Sequence, residues 1–358
     1  MRSTPAVIDP DPTDDSPLRA SRGIRDLGRA SYVALSVWIV AFIAYTVVIG
    51  LPTKRSNVLL WVVLAIFAFG ASQLKRTTIS LLRDWSPVLI ALVAYDLLRG
   101  LSDNGDHVVA HVDPHWAFDK WIGGGTTPTE HLQEWFHATA SVQWYDYLAW
   151  GVYTSHFLMP WCVAVALWAV ASTRFRPYLY GLALLSWMAL ATYYLYPAKP
   201  PWMIAKEGLM THDVSRVVHS VWDHVGIEKA ARAFEPVNPA TAGAKSNYAN
   251  PVAALPSLHG AFPMFIAIML WSRRRWVNAA LATYTFAMGL TLVYAGEHFV
   301  FDILLGWAYA AIAAGTVLYL AKRLRRPTLE QELADEVARR TGPARHASDA
   351  GDTVSVEK

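Results

Sequence analysis

The sequence predicts an all-α fold, a polytopic membrane bundle of about eight transmembrane helices, and three observations support this prediction. Apolar residues make up 54% of the 358-residue chain and charged residues only 16%, against about 25% charged residues in an ordinary soluble domain. The apolar residues are concentrated in long blocks, and a helix needs about 20 of them to cross a bilayer. Lys and Arg cluster in every second gap between blocks, as expected of a chain that returns repeatedly to one side.

Eight apolar blocks supply the predicted helices. They lie at about residues 31–51, 57–74, 85–98, 147–171, 178–196, 255–271, 276–295 and 299–321. Most of them are long enough to span the hydrocarbon at 1.5 Å per residue, or nearly so. The third block is short and contains Asp96, so the bundle has six or seven spans if the marginal segments are re-entrant.

The positive-inside rule sets the orientation of the bundle. Alternate gaps carry the clusters Arg19, Arg22, Arg25 and Arg29; Lys75, Arg76 and Arg83; Arg174 and Arg176; Arg273, Arg274 and Arg275; and Lys322, Arg323, Arg325 and Arg326. The opposite side has one short basic pair, Lys54 and Arg55. Both termini are therefore expected in the cytoplasm of a cell-membrane protein, and the loops at about 99–146 and 197–254 are expected to be extracytoplasmic.

Both long loops contain a segment with the apolar spacing of an amphipathic helix. Residues 130–144 place Leu132, Trp135, Phe136 and Thr139 on one face, and residues 213–234 place valines and Trp222 at helical spacing. Such helices are typical of the membrane interface. The alternative interpretation is a pair of short soluble helices packed on the bundle.

The same pattern divides the chain into four segments. Residues 1–30 are expected to be a disordered cytoplasmic terminus, 31–146 the first spans and first outer loop, 147–321 a helical core, and 322–358 a cytoplasmic tail. The net charge of only +3 excludes a nucleic-acid binder driven by bulk charge. The single cysteine, Cys162, excludes a disulfide framework or thiolate cluster within one chain. The pattern leaves the oligomeric state open.

Three polar side chains stand out at the outer ends of the last spans: His259, His298 and Asp302. Two crossings of about 17–19 residues plus a turn fit the interval between the histidines, so both are expected at the same depth. His298 and Asp302 are four positions apart and share a helix face. An aspartate inside a membrane helix costs roughly 2.5–3.5 kcal/mol, which a histidine partner in a wet cavity would offset. The sequence therefore predicts that the three groups meet in one pocket.

The segments around these residues resemble a known superfamily. Pro256-Ser257-Leu258-His259 and the His298 to Asp302 spacing are similar to the second and third signatures of the type 2 phosphatidic acid phosphatase and vanadium haloperoxidase superfamily. Residues 196–202 (YPAKPPW) resemble its first signature. The PSLH form, with Tyr294 four positions before His298, resembles the branch of inositol phosphorylceramide synthases, which are inositolphosphotransferases. The resemblance covers about 195–310.

The resemblance implies a metal-independent enzyme of lipid metabolism that needs no cofactor. By this resemblance His298 attacks phosphorus and becomes a phosphohistidine, Asp302 holds its ring, and His259 protonates the leaving oxygen and then acts as base. The implied substrate is a lipid phosphate or phosphodiester bound from the membrane, at the extracytoplasmic face. Water as the acceptor would make the protein a phosphatase, and an alcohol would make it a transferase. Ser257 and the backbone amides beside it are expected to donate hydrogen bonds to the phosphoryl group.

The cations that normally bind the phosphate in this superfamily are incomplete here. Its members usually carry Lys and Arg in the first signature and an Arg six positions before the third-signature His, where this chain has Leu292. Lys199 is the first candidate to bind the phosphate, followed by Arg99 and Lys206. Each of the three has an alternative interpretation as a plain interfacial anchor.

Other histidines suggest alternatives. His107, His111 and His115 recur at intervals of four with aspartates nearby, which can indicate a metal site. Pro114 interrupts a helix there, however, so a solvated or interfacial loop is the favoured interpretation. His156 either lines the cavity or is a satisfied buried histidine. The rival class is a transporter or channel whose ion path uses Asp96, His156 and the His298–Asp302 pair. A catalytically inactive relative is a third possibility.

Overall fold

The structure is a computed structural model that describes residues 28–48, 52, 55–86, 88–91, 93–94, 110–138, 141–170, 172–225 and 252–324. These residues are mostly helical, and none of them forms a β-strand, so the predicted all-α class is confirmed. Several sequence predictions lie outside the described residues. They concern the chain termini, the position of Asp96, and the side chains of Arg99 and His107.

The N-terminal part consists of helices α1 (Arg29–Val48), α2 (Arg55–Phe69) and α3 (Leu74–Ser80), followed by a short π-helical turn at Leu81–Trp85. Aromatic rings join the first two helices: the indole N–H of Trp38 donates to the carbonyl of Trp61 at 3.1 Å, and Phe42 packs edge-on against Trp61. The predicted block 57–74 is broken at Gly70, where a 3-10 turn begins.

The remaining described helices build the core and its outer loops. They are α4 (His115–Ile122), α5 (Pro128–Phe136), α6 (Trp144–Ala169), α7 (Phe175–Leu195), α8 (Pro201–Lys206), α9 (Val217–Val225), α10 (Leu258–Leu270), α11 (Arg275–Tyr294) and α12 (Val300–Leu324). The chain divides into two units, Met1–Val317 and Leu318–Lys358, and the described part of the second is the end of α12.

Among the described residues, five helices are long and apolar enough to cross a membrane: α1, α6, α7, α11 and α12. Helix α2 and helix α10 are apolar but shorter. Helix α10 covers only part of the predicted block 255–271, because Ser257 caps its first turn and keeps the preceding residues non-helical. The described part of the chain therefore has the composition and helix lengths of a membrane protein.

The two predicted loop helices exist, but α5 differs from the expectation in length and in the face that it buries. It ends at Phe136 rather than near residue 144, because Trp144 already begins α6, whose first turn is capped by Asp146. Leu132 packs inward, while the predicted neighbours Trp135 and Phe136 are exposed. The buried face instead contains polar groups that bind another loop. In the described part of the second segment, α9 buries Val217, Val218 and Val221, whereas Val225 at its end is exposed. Contact of either helix with a membrane interface stays a prediction.

Candidate active site

The first wall of the site is the start of α10, where the chain turns from an extended loop into a helix. The Ser257 hydroxyl caps this helix by accepting the Gly260 N–H at 3.2 Å. The Ser257 N–H donates to the Asp302 carbonyl at 3.0 Å, and the Tyr193 hydroxyl donates to the Pro256 carbonyl at 2.6 Å. The loop is thus tied to both α12 and α7, and His259 lies in the first turn that it introduces.

A close backbone approach holds α10 and α12 together at this point. A Cβ atom added to Gly306 in α12 would lie 2.4 Å from the carbonyl oxygen of Ser257. Only glycine leaves room for that carbonyl. The close approach of α10 and α12 therefore requires glycine at position 306.

The second wall is the start of α12, which carries Asp302 in its first turn, and His298 lies two positions before the helix begins at Val300. The Asp302 carboxylate is fully buried, accepts the Phe299 N–H at 3.0 Å through Oδ2, and lies 3.5 Å from His298 Nδ1 through the same oxygen. The unpaired N–H groups at a helix start stabilise negative charge. The carboxylate is therefore stable at the position where it faces the imidazole.

A second buried carboxylate, Asp119 of α4, was not foreseen from the sequence. Its two oxygens accept the N–H groups of Val300 at 2.9 Å and Phe301 at 3.1 Å. Burial raises the pKa of Asp119 to about 7; the two backbone hydrogen bonds oppose this rise and the charge of Asp302 adds to it. Its only signal in the sequence is an acid within an aromatic stretch, which does not identify the helix that it caps.

The two histidines meet directly between these walls. His259 Nδ1 lies 3.0 Å from His298 Nε2, within hydrogen-bond distance. Because the other ring nitrogen of His298 faces Asp302, Nε2 is the nitrogen left for chemistry. Only one of the two facing nitrogens can carry the proton of this contact. The structure thus brings together the three groups that the sequence placed in one pocket.

Two side chains of α6 complete the pocket around His259. The Tyr153 ring stacks on the His259 ring with centroids 5.2 Å apart, and the His156 ring meets it edge-on at 4.0 Å. His156 Nδ1 donates to the carbonyl of Tyr153 in its own helix. His156 is therefore both buried and part of the pocket lining.

The predicted phosphate-binding cations are placed unequally. The Lys199 ammonium donates to both carboxylate oxygens of Glu207, at 2.7 Å each. The Lys206 ammonium lies 4.9 Å from the ring centre of Trp202. Leu292 is fully buried in an apolar cluster with Met288 and Val293. Arg99 lies outside the described residues.

The sequence interpretation also missed an ion pair beside the histidines. The Arg216 guanidinium donates to both oxygens of Glu297, at 3.0 Å each, and lies 4.6 Å from the ring centre of Trp202. Glu297 directly precedes His298 in the chain. Arg216 follows a loop with no periodic pattern, so only the folded structure reveals its position.

Helix α5 holds the loop that leads to this ion pair. The side chain of Gln133 donates to the carbonyls of Ser215 and Tyr294 and accepts the N–H of Ser215, each at 2.8 Å. Glu130 accepts the N–H groups of Thr211 and His212. Burial of Glu130 raises its pKa, but the hydrogen bonds that it accepts outweigh this effect and lower the pKa overall. The inward polar face of α5 therefore fixes the loop at 211–216.

The histidines of the possible metal site have other contacts. The His111 ring stacks on Tyr196 with centroids 4.0 Å apart, and the buried His115 donates through Nε2 to the carbonyl of Lys199 at 3.0 Å. Within the described ranges, no three His, Cys, Asp or Glu side chains are grouped as metal ligands would be.

Comparison with known families agrees with this geometry. A family model described as the PAP2 superfamily matches residues 116–316, which run from α4 through most of α12. This match spans more than half of the chain, and the protein belongs to the PAP2 superfamily. Membership supports a phosphatase-type or phosphotransferase-type enzyme. No match was found among curated proteins or among solved structures.

Proposed function

We propose that this protein is an integral membrane enzyme that transfers the phosphoryl group of a lipid phosphate or phosphodiester through a phosphohistidine. The observation that carries the proposal is the 3.0 Å contact between His259 Nδ1 and His298 Nε2, with the buried Asp302 carboxylate behind the second ring. A nucleophile, a proton donor and an orienting acid are the parts that covalent catalysis needs.

The first step forms a bond between His298 Nε2 and phosphorus while the bond from phosphorus to the lipid oxygen breaks. His259 gives a proton to that leaving oxygen. A phosphoryl group does not fit within a 3.0 Å contact between two nitrogens, so substrate binding must separate the two rings. Asp302 stabilises the positive charge that the His298 ring gains as the new bond forms.

The second step reverses the roles. A water or alcohol oxygen attacks the phosphohistidine, its proton passes to His259, and the bond between phosphorus and His298 breaks. Both histidines then have the protonation with which they began, so the cycle needs neither a metal ion nor a redox partner. The same residues would serve water or an alcohol as the acceptor, so these residues alone do not distinguish a phosphatase from a transferase.

The phosphoryl oxygens need hydrogen-bond donors and cations around this pocket. Ser257 is suited to donate, because its hydroxyl oxygen accepts the Gly260 N–H and its own proton stays available. The positive end of the α10 helix dipole adds to this. Lys199, Lys206 and Arg99 remain the proposed cations from the sequence, and Lys199 would have to exchange Glu207 for the phosphate.

The clustered basic residues support a site at the extracytoplasmic face. His259 and His298 lie at the ends of α10 and α11–α12 opposite the basic turn Arg273–Arg275, which the positive-inside rule assigns to the cytoplasm. The lipid chains would then lie between helices or in the outer leaflet. The PSLH form and the absent arginine at Leu292 favour the inositolphosphotransferase-like branch, with an alcohol as the acceptor.

The test uses the purified full-length enzyme with a lipid phosphate. Wild-type enzyme should release inorganic phosphate, or form a new phosphodiester lipid when an alcohol such as inositol is added. His298→Ala should lose both activities. His259→Ala should accumulate the phosphoenzyme with an aryl phosphate, because a phenolate leaves without being protonated whereas the second step still needs a base. Near-normal turnover by His298→Ala would contradict the proposal.

A further inference from the structure

Arg216 and Glu297 form a second charged group next to the histidine pair. Arg216 donates through Nε and Nη2 to the two oxygens of Glu297, and its guanidinium stacks over Trp202. Glu297 is only 8% exposed, while the Arg216 side chain is 26% exposed. Glu297 thus fixes one edge of the guanidinium and Trp202 covers one of its faces. The Arg216 side chain is still partly accessible to solvent.

The backbone at Arg216 is held as firmly as its side chain. The neighbouring Ser215 exchanges two hydrogen bonds with Gln133, which also binds the carbonyl of Tyr294. A Cβ atom added to Gly296 would lie 2.9 Å from the Ser215 carbonyl oxygen, and Gly296 has a φ of +71°. The loop therefore packs directly on the turn that leads into His298. The backbone at Arg216 is fixed, whereas that of a solvated surface arginine would not be.

The guanidinium keeps donors for a further anion. It has five N–H groups, and the two bonds to Glu297 use two of them. No other hydrogen-bond acceptor for Arg216 is found in the part of the chain that the structure describes. Glu297, which binds the guanidinium, directly precedes His298 in the chain, and Trp202 under the guanidinium donates its backbone N–H to the Gly296 carbonyl at 3.1 Å. The remaining donors are therefore near the pocket in which the phosphoryl group would react.

We propose that Arg216 binds the phosphoryl oxygens of the substrate and that Glu297 is the positioning residue that orients its guanidinium. This inference rests on the proposed function. The planar guanidinium matches two phosphoryl oxygens, and a fixed cation stabilises the charge of the transition state. Arg216 thereby supplies the cation that the position of Leu292 lacks. Lys206, which shares the Trp202 ring, adds positive charge to the same place.

The experiment compares Arg216→Gln, Arg216→Lys and Glu297→Gln with the matched control Arg176→Gln. Arg176 also donates to a carboxylate, that of Asp84 at 2.7 Å, but lies at the predicted cytoplasmic end. The measurements are kcat and KM for a lipid phosphate and the inhibition constant of inorganic phosphate. Thermal melting of the detergent-solubilised enzymes checks that each variant is folded.

We expect Arg216→Gln to lower kcat/KM about 10²–10³-fold, as the loss of a donor to a transition-state oxyanion does. Its inhibition by inorganic phosphate should weaken in parallel. Arg216→Lys should have a kcat/KM between those of the wild type and Arg216→Gln, because lysine keeps the positive charge but cannot form two parallel hydrogen bonds to the phosphoryl oxygens. Glu297→Gln alone should reduce kcat/KM. In the double variant with Arg216→Lys it should cause little further loss, because there is no longer a guanidinium to orient. Arg176→Gln should retain wild-type kinetics.

The outcomes separate this inference from the function on which it rests. If His298→Ala is inactive while Arg216→Gln matches Arg176→Gln in kcat/KM and phosphate inhibition, the role of Arg216 is wrong and the proposed function stands. If His298→Ala is active, the proposed function fails first. If Arg216→Gln does not fold, Arg216→Lys decides, and wild-type kinetics in that variant overturn the inference.

Discussion

Replacement of Asp302 by asparagine would remove one buried charge from behind His298 and change little else. The Asp302 carboxylate is fully buried, lies 3.5 Å from His298 Nδ1 and accepts the Phe299 N–H at 3.0 Å. Asparagine has nearly the same shape, so its carbonyl oxygen can keep the bond to Phe299. The variant therefore isolates the charge from the fold of the helix start.

The expected loss follows from the geometry of this pair. Two unit charges 3.5 Å apart attract by about 5 kcal/mol at an effective dielectric constant of 20. In the proposed mechanism the His298 ring gains positive charge as its bond to phosphorus forms, so the loss falls on the transition state. Asparagine can still form a neutral hydrogen bond to the His298 ring, which offsets part of the lost electrostatic attraction. We expect kcat to fall about 10²–10³-fold at 1.36 kcal/mol per factor of ten, with KM changed less than about threefold.

The assay is steady-state turnover of a lipid phosphate, together with the rate of phosphoenzyme formation from an aryl phosphate. Asp84→Asn is a matched control, because it removes a carboxylate that pairs with Arg83 and Arg176 away from the histidines. That control should keep wild-type kcat. A loss of less than tenfold in Asp302→Asn, or a loss confined to KM, would refute the electrostatic reasoning.

Three further predictions test the packing around the site. Gly306→Ala should reduce kcat strongly, because its Cβ would clash with the Ser257 carbonyl, whereas Gly315→Ala in the same helix meets nothing within 4 Å and should be neutral in the same assay. Leu292→Arg should lower the melting temperature of the solubilised protein, since it buries an unpaired charge at a cost of several kcal/mol; an unchanged melting temperature would contradict this. Asp119→Asn should change the pH dependence of stability. The folded protein binds the Asp119 proton more tightly than the unfolded chain, so wild-type stability should fall relative to the variant as pH rises from about 4 to the pKa of about 7; parallel melting curves across that range would refute the shift.

The meeting of His259, His298 and Asp302 could be predicted mainly from chain length and sequence spacing. Two crossings and a turn return the chain to its starting depth. The expected shared helix face was wrong, because α12 begins at Val300 and His298 precedes it, yet His298 Nδ1 still lies 3.5 Å from the Asp302 carboxylate. The structure shows the resulting contact between His259 and His298 at 3.0 Å. The sequence also predicted the all-α class, because apolar blocks of this length have few other stable arrangements.

The supporting residues could not be predicted because they come from the segments between the membrane-spanning helices, and their contacts are distant in sequence. Asp119, Gln133 and Arg216 act across large sequence separations, on α12, on the loop at 211–216 and on Glu297 respectively. Apolar periodicity says nothing about which polar groups meet across such a distance. The same limit explains α5: its apolar spacing suggested a buried aromatic face, but hydrogen bonds from Gln133 and Glu130 decided its orientation.

Two carboxylates at one helix start explain how Asp302 can be both buried and available to His298. The first three N–H groups after His298 are those of Phe299, Val300 and Phe301, and Asp119 accepts two of them. Asp302 then has to accept only one, and in the described residues its Oδ1 has no hydrogen-bond partner. With Asp119 holding the helix, the Asp302 charge is directed mainly at the imidazole. Burial is the main cause of the raised pKa of Asp119, and the nearby charge of Asp302 raises that pKa further.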